Sequence, residues 1–524
     1  MKKMIQKTGT VYKIMAIFIA ILFVVSCKKN DKPTPQLTIS NKTDTIPAGG
    51  GIVALAFTSN AAWSVDTTGI GWLHLSQMSG GSGAANITLT GMVNKSGARR
   101  SLLLVVNSTN GQSRRITVLQ DAVIFPSYNT SAIAPDATGM GSTASQIAAN
   151  ITYGWNFYNT MEAPGGETGW GNPPITQQMF DLIKSTGVNA VRIPIQYDGH
   201  LINAKTMQID PAWLARIHQV VQYGINDGMY VTINIHYDPD CTLTGALQDT
   251  ANAKHGAYWE QIATAMRDFD EHLMFASCNE PGATDVPTGV TLMRYHQTFI
   301  NAVRSTGGKN TYRTLVIQAS TSIDFANAYL DPTNVYKKPT LPIDPTPHKM
   351  MLEFHYYTPS QFCILGGNDN TTTPQDAGWG KELYFWGAAF HTTNPLFLNR
   401  NSVASTEEGY ADSIMSTVKK RFAAKGIPLF MGEYAPNSHF GRLKGYPADS
   451  ILSIKSETHF IAYIAQQAKA NGVIPYLWAG IFDRRGVNGV PQGPTVVGDT
   501  ATMNAVKLGV NAGVAKFGSG VKFQ

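Results

Sequence analysis

The sequence predicts a (β/α)₈ barrel preceded by an all-β sandwich of immunoglobulin type. Three observations predict it. Between residues 146 and 524, eight short apolar runs alternate with helix-like stretches. Between residues 37 and 121, short strand-like segments are separated by turn clusters. Polar and charged side chains gather at the carboxyl ends of the apolar runs, where buried strands rarely hold them. A length of 524 residues, 43% hydrophobic and 15% charged, fits one large domain and a smaller one.

Residues 1–26 are read as a secretory signal. Lys2, Lys3, Lys7 and Lys13 precede the apolar run Ile14–Val25, with no acidic residue among them. That run is too short to span a bilayer. It leads into Val24-Val25-Ser26-Cys27, which resembles the lipobox of bacterial lipoproteins. The resemblance implies a lipid on Cys27, a membrane attachment through it, and an outer-membrane lipoprotein displayed at the cell surface. Residues 27–36 are polar and proline-containing and are read as a tether. The four signal lysines account for four of the +6 formal charges, leaving +2. With no basic patch, nucleic acid is excluded as a partner. The chain is expected to act as a monomer.

Residues 37–121 carry strand-like segments at Leu37–Ser40, Ile52–Phe57, Trp63–Val65, Asn86–Thr90, Ser101–Val106 and Arg115–Leu119, punctuated by Ala48-Gly-Gly-Gly51 and Gly80-Gly-Ser-Gly83. Asn60-Ala-Ala-Trp-Ser-Val65, the Gly-rich turn before Ile87, Arg99-Arg100 and Ile116-Thr-Val-Leu-Gln120 resemble the BACON domain. The family was proposed to bind carbohydrate. A rigid spacer is the favoured reading, because no row of exposed aromatics is evident and Trp63 and Trp72 read as core. Residues 122–145 are rich in small and polar residues and read as a linker.

The eight apolar runs are Tyr153–Phe157, Ala190–Ile195, Tyr230–His236, Leu273–Asn279, Leu315–Ala319, Met351–Tyr357, Pro428–Tyr434 and Val473–Trp478. Thr176–Ser185, Pro211–Asp227 and Val290–Ser305 are examples of helix-like stretches between them. No Gly-x-Gly-x-x-Gly follows the first run, which disfavours a doubly wound sheet. Of three cysteines beyond Cys27, Cys278 reads as a buried thiol, and a Cys241–Cys363 bridge is left open. No paired-cysteine or His-x-x-x-His spacing suggests zinc, and Asp238-Pro-Asp240 lacks the rest of a calcium loop. No metal or cofactor is expected.

In such a barrel the site forms at the carboxyl ends of the strands. Those ends carry Arg192, His236, Asn279 with Glu280, His355 with Tyr357, Glu433 and Trp478. Two carboxylates facing one cleft are the minimum equipment for cleaving a glycosidic bond. In order and spacing these eight residues match the recurring site residues of glycoside hydrolase family 5. Gly154-Trp-Asn156 with Asn159-Thr160, Glu167-Thr-Gly-Trp-Gly-Asn-Pro173, and Phe354-His-Tyr-Tyr-Thr-Pro359 with Gln361-Phe-Cys363 resemble its subfamily 4. One departure is Tyr237, where the subfamily commonly has a second histidine after His236.

The resemblance implies a retaining double displacement, with Glu280 as acid/base and Glu433 as nucleophile. Arg192 and Tyr357 are then expected to keep Glu433 ionised, and the Glu433 charge to raise the Glu280 pKa. Asn279 is expected at the sugar 2-hydroxyl, His236 and His355 at sugar hydroxyls or at Glu433, and Trp478 beneath the sugar. Trp170, Trp379 and Trp386 are read as cleft platforms or loop anchors, Trp170 and Trp386 being counted among the substrate-binding candidates. The resemblance implies a polysaccharide substrate with a β-1,4-glucan backbone, xyloglucan first and mixed-linkage glucan second. A β-mannanase shares the barrel and both carboxylates, but the Glu167–Pro173 motif argues against it. A catalytically inactive glycan-binding lipoprotein is opposed by the presence of both carboxylates with Asn279.

Overall fold

The computed structural model describes residues 34–66, 71–94, 96, 98–236, 242–322, 341–366, 371–479 and 500–517. Cys27, the signal and most of the tether, together with Tyr237, Asp238, Asp240 and Cys241, lie outside these residues. The chain forms two compact units, 1–123 and 124–524.

The first unit is a two-sheet sandwich. Its strands are β1 (Leu37–Ile39), β2 (Thr43–Ile46), β3 (Gly51–Ser59), β4 (Trp63–Asp66), β5 (Leu73–Leu75), β6 (Ser79–Gly80), β7 (Gly83–Gly91), β8 (Arg100–Ser108) and β9 (Ser113–Gln120). One sheet runs β1-β3-β7-β5 and the other β2-β9-β8-β4-β6. Strands β7, β8 and β9 alternate between buried and more exposed positions, as sheets with one face on a core must. Phe57 meets the Trp63 ring edge-on at 4.8 Å in that core. A side chain at Gly80 would strike the same ring, so only glycine fits there. Trp63 is buried as expected, whereas Trp72 is only half-buried, with the Arg100 guanidinium 4.4 Å above its ring. The strands β2, β5 and β6, of four, three and two residues, are too short to announce themselves in sequence.

The stretch 122–145, expected as a linker, is bound to the second unit from Ser127 onward. The Glu260 carboxylate accepts from Ser127 Oγ and from the Tyr128 and Asn129 amides, and Ile133 bridges to Gly307. The helix Ala144–Asn150 follows, opened by a capping box between Thr143 and Gln146.

The barrel strands are β10 (Gly154–Asn156), β11 (Ala190–Ile195), β14 (Tyr230–Ile235), β15 (Leu273–Ala276), β16 (Leu315–Ser322), β17 (Met350–Tyr356), β18 (Leu429–Tyr434) and β19 (Val473–Leu477); a small hairpin, β12 (Leu201–Asn203) and β13 (Gln208–Ile209), follows β11. All eight barrel strands pair in parallel, and β19 closes on β10. Burial on both faces explains why the strands read as unbroken apolar runs. Helices such as Gln177–Ser185, Pro211–Asn226 and Val286–Ser305 return the chain between strands and bury their apolar sides against the barrel. At the amino-end mouth, Ala144, Ile147, Ala148 and Ile151 pack with interior residues such as Ala190, Met274 and Phe430. The short helix therefore plugs the bottom of the barrel with hydrocarbon. Gly154 is forced there, because a Cβ would lie 2.1 Å from the Tyr476 ring.

The register shifts between β16 and β17, β17 and β18, and β18 and β19 all fall toward the carboxyl ends of these strands. Such irregularities re-aim side chains beside active sites. Cys278 is buried just beyond β15 rather than inside the strand. Cys363 is a buried free thiol.

Candidate active site

The interior of the carboxyl-end mouth is lined with buried polar groups. Arg192 on β11 is fully buried and meets four neighbours at once. Its Nη1 donates to Glu433 Oε1 at 2.9 Å and to Asn156 Oδ1 at 3.0 Å, and its Nη2 donates to Asn279 Oδ1 at 2.6 Å. Its Nε lies 3.2 Å from Glu353 Oε1. Burial disfavours the guanidinium charge, but Glu353 and Glu433 outweigh burial and raise its pKa. Asn156 ties this group to the barrel wall, its Nδ2 donating to the carbonyls of Gly432 and Leu477 at 2.9 and 3.2 Å.

Glu433, next to last in β18, accepts from Arg192 on one oxygen and from the Tyr357 hydroxyl on the other, the latter at 3.0 Å. Burial and the Glu433 charge push the Tyr357 hydroxyl well above its usual range, so it stays a donor. Glu280 follows β15 with φ +47°, in the left-handed region that side-chain-bearing residues disfavour. Its Oε1 accepts from His355 Nδ1 at 2.8 Å. The other ring nitrogen, Nε2, donates to Glu353 Oε1 at 3.2 Å. A ring with a carboxylate at each nitrogen must donate at both, which makes His355 a cation. Burial opposes that charge, but Glu433, Glu280 and Glu353 push the pKa up to about 10.

One carboxylate oxygen of Glu280, one of Glu433 and a His355 ring nitrogen all lie within 4.8 Å of one another. The three have the donor types of a metal site, yet an imidazolium has no free lone pair for a metal. The cluster is better described as two acids held by two cations over one buried counter-charge, Glu353. That counter-charge fixes Gly432 as well: a Cβ there would come within 2.0 Å of Glu353 Oε1.

The expectation that the Glu433 charge raises Glu280 does not describe this arrangement. Burial does disfavour an ionised Glu280, but the His355 hydrogen bond and the His355 and Arg192 charges outweigh burial and lower its pKa. Burial raises Glu433 against the opposing charges of His355 and Arg192, and the Glu280 charge adds to the rise. Two acids this close titrate as a pair rather than independently. Without a sugar, His355 favours leaving Glu280 ionised.

Around the cluster stand the remaining expected residues. His236 is buried and held neutral, its pKa pushed well below normal by burial and by the Arg192 and His355 charges. Its ring stacks on Trp478 with centroids 5.9 Å apart and planes 7° off parallel. Tyr158 leans on the other partner at 5.5 Å, making an aromatic wall of the three. Asn279 has its oxygen occupied by Arg192, which leaves its amide N–H groups for a ligand. Glu162, also buried, accepts from the Asn159 and Thr160 amides, and burial pushes its pKa up to about 7.

The loop aromatics divide. Trp170 is exposed on a loop pinned at both ends. Glu167 accepts from Arg216 and from the Ile175 amide, and Asn172 Nδ2 donates to the Tyr158 and Asn159 carbonyls. Trp379 is exposed too. Trp386 is not a cleft platform. It is fully buried, its Nε1 donating to the Thr406 carbonyl and its edge set against Phe460 in the helix Pro447–Ala470. It anchors the β17–β18 connection to the outer helical layer.

Glu353 and Gln318 were not among the sequence-derived candidates, and Asn156 was noted only within a motif. Glu353 had a signal: it is a lone charge inside the apolar run Met351–Tyr357. Gln318 in β16 had the same kind of signal, weaker because it is neutral.

Residues 154–479 match the cellulase family, glycosyl hydrolase family 5, and residues 36–122 match the viral BACON domain. Over 525 aligned residues the chain is 29% identical to a xyloglucan-specific endo-β-1,4-glucanase of Bacteroides ovatus, covering 94% of this chain and 96% of that protein. A Bacteroides ovatus family 5 xyloglucanase solved with a XXXG heptasaccharide superposes with a TM-score of 0.65 at 28% identity, over 91% of this chain and all of that one. A family 5 xyloglucan-specific β-1,4-glucanase from a ruminal metagenomic library, solved with XXLG, gives 0.58 at 33% identity, over 72% of this chain and 97% of that one.

Proposed function

The chain belongs to glycosyl hydrolase family 5, and on that premise we propose that it is a xyloglucan-directed endo-β-1,4-glucanase working by double displacement with retention. The observation that carries the mechanism is the approach of Glu280 and Glu433 to within 4.8 Å. Retaining enzymes keep their two carboxyl groups about 5–5.5 Å apart, whereas inverting enzymes leave about 6.5–9.5 Å for a water.

Glu433 attacks the anomeric carbon. As that bond forms, the bond to the leaving sugar oxygen breaks and Glu280 gives the oxygen its proton. Water then attacks the glycosyl ester, Glu280 takes the water's proton, and Glu433 leaves as a carboxylate. Glu433 suits the nucleophile because both its oxygens accept permanent donors, Arg192 and Tyr357. Glu280 suits the acid because its side chain is 35% exposed toward the cleft. A bound sugar strips water from that side and presents an acceptor oxygen, which favours the protonated form of Glu280. Asn279, its oxygen taken by Arg192, offers its N–H to the sugar 2-hydroxyl. Trp478 offers a face for the ring.

Xyloglucan is proposed first because the two relatives matched over 94% and 91% of this chain are a xyloglucan-specific glucanase and a xyloglucanase. Rates on xyloglucan, mixed-linkage glucan and carboxymethylcellulose test this; a rate on xyloglucan no higher than on carboxymethylcellulose removes it. The lipobox-like Ser26-Cys27 supports a lipoprotein of the outer membrane, with the BACON-type unit as a spacer. Loss of membrane fractionation in Cys27→Ala tests that attachment.

A further inference from the structure

We propose that β16 is the positioning element for Glu280: Gln318 and Ser320 grip the backbone on either side of it and set its carboxyl where a leaving oxygen is protonated. The inference rests on the reading of Glu280 as acid/base. Glu280 needs such a grip. The ladder of β15 ends at Ala276, and Glu280 itself sits at φ +47°. Gln318 Oε1 accepts the Glu280 amide at 2.7 Å. Two residues on, and so on the same face of the strand, Ser320 Oγ lies 3.1 Å from the Pro281 carbonyl and 2.8 Å from that of Ala283. Both gripping side chains are buried.

A second layer holds the grip. The Gln318 carbonyl can only accept, so His296 Nε2 donates to it, at 2.8 Å. Burial pushes His296 down to about 4 and His255 down to about 3, so both rings are neutral. His296 Nδ1 must then accept from Ser277 Oγ at 2.7 Å, which leaves Ser277 to accept from His255 Nε2 at 3.2 Å. The chain of donors therefore has one fixed direction, His255 to Ser277 to His296 to Gln318. It ties the start of the Ser277–Glu280 segment to the same residue whose side chain ties its end. The donors to Glu433, Arg192 and Tyr357, belong to other parts of the barrel. Loosening β16 should therefore impair proton transfer and spare nucleophilic attack.

The test compares kcat/KM on xyloglucan oligosaccharide with kcat/KM on 2,4-dinitrophenyl β-cellobioside, whose phenolate leaves without a proton. Gln318→Leu should lose about 10- to 100-fold on the oligosaccharide. On the aryl glycoside it should lose less than about threefold, and azide, which needs no deprotonation, should restore kcat. Ser320→Ala should show the same pattern at smaller size, and carries the test if Gln318→Leu does not fold. Equal losses on both substrates, or none on either, would overturn the inference. Glu280→Ala is the control. If it shows the leaving-group pattern and Gln318→Leu does not, the inference alone fails. If Glu280→Ala lacks the pattern, the acid/base reading falls and takes the inference with it.

Discussion

The two mouths of the barrel are built on opposite principles. The amino-end mouth is closed by Ala144, Ile147, Ala148 and Ile151 against apolar strand residues. The carboxyl-end mouth buries Arg192, His355, Glu353 and Glu433 within hydrogen-bond reach of one another. Hydrocarbon burial adds stability and asks for no partner. Buried charges are costly to desolvate and are tolerated only when every partner is present. The same strands thus spend one end on holding the fold and the other on holding a chemical poise, in line with the division usual in such barrels.

Substitutions at the two ends should separate these roles. Glu433→Ala should lower kcat/KM on glucan by roughly 10⁴-fold or more while xyloglucan oligosaccharide still binds; titration calorimetry beside initial rates reads both. Trp386→Ala, in the outer layer, should cost about 3–5 kcal/mol of stability. Ile147→Ala at the apolar plug should cost about 2–4 kcal/mol. For both, urea unfolding measures the loss, and kcat of the folded fraction should be unchanged. A catalytic defect in Ile147→Ala at full stability would break the division between the mouths.

The pH behaviour sharpens it further. His355 is raised from its ordinary 6.5 to about 10. A raised group of this kind contributes stability that is complete below the unfolded value and is lost as the pH climbs through the folded one. The contribution is therefore full below 6.5, already reduced at pH 8, and gone above about 10. Glu353→Gln removes one of the three carboxylates around the ring. The titration of the His355 ring, followed by NMR, should then move down by about one pH unit. An unmoved titration would mean that Glu353 does not support the charge on His355. The smallest effect is expected at Trp170→Ala: about 1 kcal/mol of substrate affinity, read as a raised KM, with no change in melting temperature.

Much of this could be read from the chain. The eight strands were legible because burial on both faces makes them unbroken apolar runs, and Ala190–Ile195 coincides with β11 to the residue. Glu280 and Glu433 were legible because a carboxylate at the end of such a run needs a reason. Trp386 was not, because a tryptophan in a long loop looks the same whether it faces sugar or a helix. Glu353 was passed over although it broke an apolar run; its task is to balance Arg192 and His355, which lie elsewhere in the sequence. Gln318 acts on the Glu280 backbone through a side chain 38 positions away, and no local pattern encodes that contact. The helix Gln248–Ala265 has a weak apolar stripe because Asn252, Lys254 and His255 are buried in it as well.

Proton NMR of the first product formed from a xyloglucan oligosaccharide tests the central geometry most directly. Two carboxylates within 4.8 Å, one attacking and one protonating, should release the β-anomer first, with the α-anomer growing in later by mutarotation. An α-anomer released first would mean that water, not Glu433, attacks the sugar, and the account of the site would be wrong.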